Sequence, residues 1–363
     1  MTADSRWSAM DASTGGAGRT VENRANAALM LVLLLLVEET MWMSLFRRAT
    51  LSSVLALSSV ANAFAAECGF ELSFTRPDEG GAQTVKVYRG RAVPELDGIR
   101  PLLYITTLKV NTDGTKISYH VKDATGRRCA QDPSATPCAI NNIRNAYNNP
   151  GQSVTAFEAV RDAGFPVPKT WRVLSEDIIE KSRDTNKPCV TSDGYLVSMT
   201  ADVAVDGGFG RVGDCDQSKW IDALTAPAIV LPRSTASLPS QFIANDVKKR
   251  SLVVGFSRTA TKRTVYGIVG DTGPAKEIGE ANIAMNRKLN GLAEDDLPKH
   301  RQDAIERFQA GRTAVLLFPG ARFVLKRPIS GARIAEFGEA ALARFGGSEK
   351  VYRCIHDEID TAF

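Results

Sequence analysis

The first half of the chain is strand-like, with long loops between short apolar or alternating runs. Thr84–Val93 and Leu102–Val110 alternate or run apolar as strands do. Asn111-Thr112-Asp113-Gly114 is a turn signal, and Lys116–Val121 is expected to return from it as a hairpin. Helical spacing predicts helices over Ala139–Tyr147 and Ala156–Ala163, the second closed by Gly164 and Pro166. Asp193–Val203 and Pro227–Leu231 are further strand candidates, while Ser251–Ser257 and Val265–Val269, around a basic turn at Lys262-Arg263, form the clearest hairpin. Asn282 is the expected N-cap of a helix over Ile283–Leu289 that Gly291 stops. Glu294–Gln309 and Ala332–Phe345 read as amphipathic helices on either side of an apolar strand, Thr313–Phe318, ended by Pro319-Gly320. There is no internal repeat and no regular βαβ alternation. The pattern predicts a mostly β (α+β) fold, a single barrel-like β core decorated by helices.

The N-terminus reads differently from the rest. Residues 29–37 are an apolar run too short to span a bilayer, which takes ~20 residues. From Met43, Arg47-Arg48 supplies a positive n-region, Ala49–Val60 an apolar h-region, and Ala61-Asn62-Ala63 or Ala63-Phe64-Ala65 a small-x-small cleavage site. Residues 43–65 are therefore expected to be a secretory signal peptide. Residues 1–42 are expected to be a mis-called start or a leader, because Glu38-Glu39 must be encoded by a purine-only hexanucleotide just upstream of Met43, as a ribosome-binding site would be. Residues 66–363 are expected to form one domain, secreted or periplasmic, with no stable membrane anchor after signal cleavage; these 298 residues suffice for a substantial single core.

That compartment gives meaning to the composition. The six Cys all lie beyond the signal segment, so disulfides are the default reading. Of ~15 possible connectivities, the local guesses are Cys129–Cys138 and Cys189–Cys215, which leave Cys68–Cys354 to tie the ends. Three His in the whole chain make a His-rich metal centre improbable, and no metal or cofactor is expected. The net charge of +4 is a mild bias that points to no particular partner.

The stretch from Tyr266 to Ala284 carries the chemistry. A buried strand ends at Gly270, Asp271 emerges at its end, a Gly- and Pro-punctuated loop follows, and Glu280 stands just before the helix capped by Asn282. Two carboxylates held at the ends of one rigid loop suit glycoside hydrolysis, in which one protonates the leaving oxygen and the other activates water. The bland alternative is that Asp271 caps the loop and Glu280 faces the helix dipole. Beside a helix N-terminus the pKa of Glu280 is expected to fall, with burial acting in the opposite direction.

This stretch resembles the signature of the chitosanases of glycoside hydrolase family 75, in which a strand ending in Asp leads through Gly-Pro and Ile-Gly-Glu into a helix. Asp193-Gly194-Tyr195-Leu196-Val197-Ser198, Ala228-Ile229-Val230-Leu231-Pro232 and Leu317-Phe318-Pro319-Gly320 resemble flanking segments of the family in the same order. The resemblance runs, with gaps, from Leu102 to Phe318. It implies a secreted endo-glycosidase that hydrolyses β-1,4 bonds of chitosan with inversion, Asp271 as the base and Glu280 as the general acid. It departs from the family at Leu108–Gly114, where alternating acids are common but Lys109, Asn111 and Asp113 stand here. Asp113, the Tyr119-His120 pair and Glu277 are the candidate substrate-binding residues, with Glu277 also the reserve carboxylate. The alternatives are a hydrolase of another amino-sugar polymer, such as a bacterial wall glycan, and a non-catalytic carbohydrate-binding protein.

Other motifs are weaker. Gly208-Phe209-Gly210-Arg211-Val212-Gly213 fits G-x-G-x-x-G, but a polar loop follows it where a dinucleotide site needs a helix. Lys248-Lys249-Arg250 and Lys262-Arg263 lie at strand ends without interleaved aromatics, so a nucleic-acid partner is not expected. Trp171 and Trp220 are equally suited to stacking on sugars or to packing. The expected partner is the polysaccharide alone, and the protein is expected to be a monomer.

Overall fold

The computed structural model describes residues 68–258 and 261–363, which leaves the expected leader and signal segments outside the described residues. Residues 66–363 form one compact unit. Ten strands are present among the described residues: β1 Glu71–Pro77, β2 Thr84–Arg89, β3 Leu102–Asn111, β4 Tyr119–His120, β5 Tyr195–Leu196, β6 Ala228–Pro232, β7 Leu252–Ser257, β8 Thr264–Gly273, β9 Glu280–Asn282 and β10 Ala310–Leu317. Four helices of eight or more residues accompany them: α1 Val154–Asp162, α2 Ile283–Asn290, α3 Gly331–Phe345 and α4 Gly347–Glu358. Shorter helical turns fill the loops.

Six strands close into a barrel in the order β3-β10-β7-β8-β6-β9, with β9 pairing back onto β3; β1 and β2 extend the sheet beyond β3. Closure removes exposed strand edges. Two of the six interfaces are parallel, β6–β8 and β3–β9; the rest are antiparallel. The period-2 rule explains how single strands serve two cores. Leu102, Tyr104, Ile229, Leu231, Val253, Val269, Val315 and Leu317 point into the barrel. Their neighbours Leu103, Leu252, Val254, Phe256, Ala314 and Leu316 point outward beneath α3 and α4, against Ala341, Leu342, Phe345, Val351 and Ile355. This double burial is why β7 and β10 read as continuous apolar runs. Gly338 lets α3 lie directly on β8, since a Cβ there would sit 2.6 Å from the Tyr266 ring.

The hairpin expected at 251–269 is the β7–β8 pair, and Asn282 caps α2 by accepting a hydrogen bond from the Met285 N–H at 3.0 Å. Four expectations fail, the first being the strand over Asp193–Val203, of which only Tyr195–Leu196 forms. Lys116–Val121 does not return along β3: only Tyr119–His120 is a strand, and it pairs with β5, because β3 takes β2, β10 and β9 as its partners. Ala139–Tyr147 yields only a turn over Ile143–Ala146. Glu294–Gln309 yields a short helical segment from Arg301 to Phe308; Pro298 interrupts the stretch before it.

Between β3 and β6 the chain leaves the barrel and builds a small loop-rich lobe around the β4–β5 pair, with its own cluster of Tyr119, Ile143, Phe157, Leu174, Ile179 and Leu196. Cys129–Cys138 and Cys189–Cys215 staple it, and Cys68–Cys354 joins the first described residue to α4. All three bridges pair as expected. The fully buried Lys219 is ion-paired with the fully buried Glu180, which also accepts from the Gly213 N–H at 2.6 Å. The G-x-G-x-x-G segment is thus a structural loop of this lobe. Among the described residues no helix is long and apolar enough to cross a membrane.

Candidate active site

The two carboxylates singled out from the sequence meet on one outer face of the barrel, and the strand register brings them there. Glu280 of β9 pairs with Lys109 of β3 on one side and with Val230 of β6 on the other. Val230 pairs in turn with Asp271 of β8. Lys109, Glu280, Val230 and Asp271 therefore form one row across four strands. Residues in register share a face, and this face is the outer one, because Ile229, Leu231 and Ala281, one position away, point into the barrel.

Strict alternation would have sent Asp271 inward, since Val269 is already inside. The register slips between Ile229 and Val230, so Gly270 is an extra residue, a bulge that turns Asp271 out to join the row. A Cβ at Gly270 would lie 2.6 Å from the Cβ of Ala228, so the bulge requires glycine. Gly273 has a similar duty: its missing Cβ would fall 3.1 Å from a carboxylate oxygen of Glu280.

Asp271 is held by backbone donors. Its Oδ1 accepts from the N–H of Ala201 at 2.7 Å and from that of Thr272 at 2.8 Å. The Ala201 segment is fixed from behind, where Lys249 donates to the Ala201 carbonyl at 2.6 Å and the buried Asp202 is paired with Arg250 and Arg327. Glu280, by contrast, accepts no hydrogen bond from any described residue, which suits a group that must hold a proton and give it up.

Asp113 is the third carboxylate. It follows β3 in the predicted turn, and its Oδ1 accepts from the Tyr119 hydroxyl at 2.8 Å and from Ser198 Oγ at 3.3 Å. Tyr119 is fixed by Asn141, whose Nδ2 donates to its hydroxyl at 3.0 Å and to Thr112 Oγ1 at 2.7 Å. Asp113 and Asp271 line one small cavity of about 10 Å³, the space of a single water molecule.

Burial raises all three acids. Burial is the main cause for Asp113, pushed up to about 6 against the pull of its Tyr119 and Ser198 hydrogen bonds. Burial and then the neighbouring Asp113 push Asp271 up to about 7, with its two backbone donors opposing. Burial, followed by the charges of Glu79, Asp113, Asp271 and Glu277, pushes Glu280 up to about 8. Burial and the neighbouring acids act against the fall expected beside the α2 N-terminus, where Asn282 occupies the cap.

Glu277 lies at the rim, where it accepts from the Gly80 N–H at 3.2 Å beside Glu79, whose pKa is raised by burial and then by the Glu277 charge. Glu79 was not legible as a site residue. A bridge between Asp78 and Ile278 brings its loop there, and nothing local in the sequence announces that pairing. Ser198, Asn141 and the Ala201 amide were missed for the same reason, although Ser198 ends one of the segments resembling the family.

His120 does not reach the groove. It is buried, its Nδ1 accepts from the Lys122 N–H at 3.0 Å, and its Nε2 therefore donates to the Asp193 carbonyl at 2.8 Å. Nε2 thus joins β4 to the turn before β5, while Nδ1 braces its own segment two residues on. Trp220 is buried in the lobe, and Trp171 donates its indole N–H to the Asn186 carbonyl at 2.8 Å. Neither forms part of the carboxylate row.

No protein-family model matches the chain, and no curated protein matches it.

Proposed function

We propose that the protein is a secreted, inverting endo-glycosidase that acts on a glucosamine-containing polymer, with chitosan as the reference substrate. The observation that carries this reading is the row itself: a backbone-anchored carboxylate, Asp271, and an unbonded one, Glu280, flank Val230 on one face. Their backbones stand two strand spacings apart, ~10 Å. That spacing suits side chains that lean together to the ~6.5–9.5 Å at which a water fits beside the sugar.

Glu280, protonated near neutrality, gives its proton to the leaving glycosidic oxygen. Asp271, oriented by Ala201 and Thr272, takes a proton from the water that attacks the opposite face of the anomeric carbon. Asp113, across the one-water cavity from Asp271, holds that water and, through its own charge, raises the basicity of Asp271. Tyr119 and Ser198 keep Asp113 in place. Disulfides and the signal-like segment support export. Chain cleavage of chitosan, chitin and peptidoglycan by the wild type, Asp271→Asn and Glu280→Gln tests the reading. Loss of ~10²-fold or more in both variants is expected from removal of general acid or base; wild-type rates in both would refute it.

One observation favours a different polymer within the same chemistry. Lys109 stands opposite Glu280 in the row, where a groove for a polycation would carry an acid.

A further inference from the structure

On the Lys109 side of Glu280 the groove opens into a cavity of about 350 Å³, within the ~300–1,000 Å³ range of ligand sites. Glu79, Lys109, Asn141, Asn145, Glu280 and Arg301 are among the residues that line it. Its charge runs against a cationic ligand. Burial and then the neighbouring Glu277 raise the pKa of Glu79, and Glu280 as general acid carries its own proton. Two cations, Lys109 and Arg301, thus face the single charge of Glu79 among the lining residues.

The two cations are held differently. Lys109 donates its ammonium to the Glu79 carbonyl, which pins it to the wall. Arg301 uses its backbone N–H for the Gly126 carbonyl at 3.0 Å, while its guanidinium has no hydrogen-bond or ion-pair partner among the described residues. A half-buried guanidinium lining a cavity without a carboxylate of its own is a fork for a planar anion. The amide neighbours are committed elsewhere or to each other: Asn145 donates to Asn141 Oδ1 at 2.7 Å, and Asn141 in turn steadies Tyr119 and Asp113. The cavity is therefore mechanically continuous with the catalytic acids.

We propose that this cavity seats a sugar unit bearing a carboxylate, gripped by Arg301 with Lys109 behind it. The natural polymer is then an amino-sugar glycan with carboxylate-bearing units, as in a bacterial wall strand, rather than a uniform polycation. The proposal rests on the glycosidase reading of the same site and deepens it.

The test measures binding apart from turnover. Calorimetric titration of the Glu280→Gln protein uses soluble, peptide-free wall-glycan strands, the same strands after chemical reduction of their carboxyls to alcohols, and chitosan oligomers. The expected result is at least tenfold tighter binding of the carboxylated strands than of the reduced ones. Adding Arg301→Gln should remove that difference while leaving affinity for the reduced strands unchanged, with thermal unfolding confirming that the variant is folded. Equal binding of reduced and unreduced strands, tightest binding of chitosan, no binding of any strand, or equal weakening of both strands by Arg301→Gln would overturn the carboxylate subsite. Cleavage by the wild type is scored separately. Binding selectivity without cleavage of any polymer keeps the subsite and sinks the hydrolase; cleavage without selectivity does the reverse.

Discussion

At the level of single residues, the site is organised by three carboxyls that the protein keeps partly out of water. With Asp271 near 7 and Glu280 near 8, the proposed cleavage needs the first ionised and the second protonated. The predicted rate profile is a bell whose acid limb lies near pH 7 and whose alkaline limb lies near pH 8. Glu280→Gln should leave a residual rate with no alkaline limb; a profile whose alkaline limb survives that change would assign the acid elsewhere. The same groups make a prediction about stability. Unfolded carboxyls titrate near ~4, so between there and pH 8 the folded protein binds more protons than the unfolded one. Stability from these groups is then full below pH ~4 and is lost as pH rises through 6, 7 and 8. Asp113→Asn and Glu280→Gln are accordingly predicted to melt above the wild type at pH 8, by a margin that closes toward pH 4. Calorimetry at the two pH values checks this, and a lower melting temperature at pH 8 would contradict it.

Among the elements, the β6–β8–β9 arrangement does the positioning, and its critical feature is one inserted glycine. Gly270→Ala must push against Ala228 across a 2.6 Å gap. Overpacking of this kind costs ~1–3 kcal/mol, and it should also rotate Asp271 away from the row. Urea unfolding is expected to show that loss, and turnover to fall by more than substrate binding does. A variant with normal turnover would show that the bulge is not what aims Asp271. Asn282 joins the same elements: it caps α2, accepts from the Ala228 N–H at 3.0 Å and donates to the Ala226 carbonyl at 2.7 Å.

Local signals account for what was legible here. The β7–β8 hairpin, the Asn282 cap with Gly291 as its stop, and the Asp271-to-Glu280 loop are all written within a few residues of one another. The Gly270 bulge was not, because a slip in register shows only against a partner strand. The lobe between β3 and β6 was read poorly for a related reason. Its Lys116–Val121 and Asp193–Val203 segments contribute only two strand residues each, and isolated bridges, side-chain hydrogen bonds, disulfides and a buried ion pair take over where ladders would otherwise form. His120 shows the cost of reading a residue type without its partners: the aromatic-His pair is present, but its second member ties two strands together.

For the whole molecule, the closed barrel supplies a rigid face and the covalent bridges hold what surrounds it. Cys68–Cys354 spans a sequence separation of 286 and lies on the α3–α4 side of the barrel, in the cluster with Leu342, Phe345 and Ile355. The double Ser variant at these positions is predicted to lose ~2–5 kcal/mol of stability while its turnover at low temperature stays at the wild-type level. A loss of turnover in the folded variant would tie that bridge to the site. The mild net charge of +4, uninformative by itself, gains meaning from where its cations stand: Lys109 and Arg301 border the groove beside the acids.

The central claim is that Asp271 and Glu280 act together across one water on a β-linked glycan. Time-resolved proton NMR of the first reducing ends released by the wild type tests this most directly. The account predicts that α-anomers appear before mutarotation, with the signal lost in both Asp271→Asn and Glu280→Gln; initial β-anomers, or α-anomers still released at the wild-type rate by either variant, would contradict it.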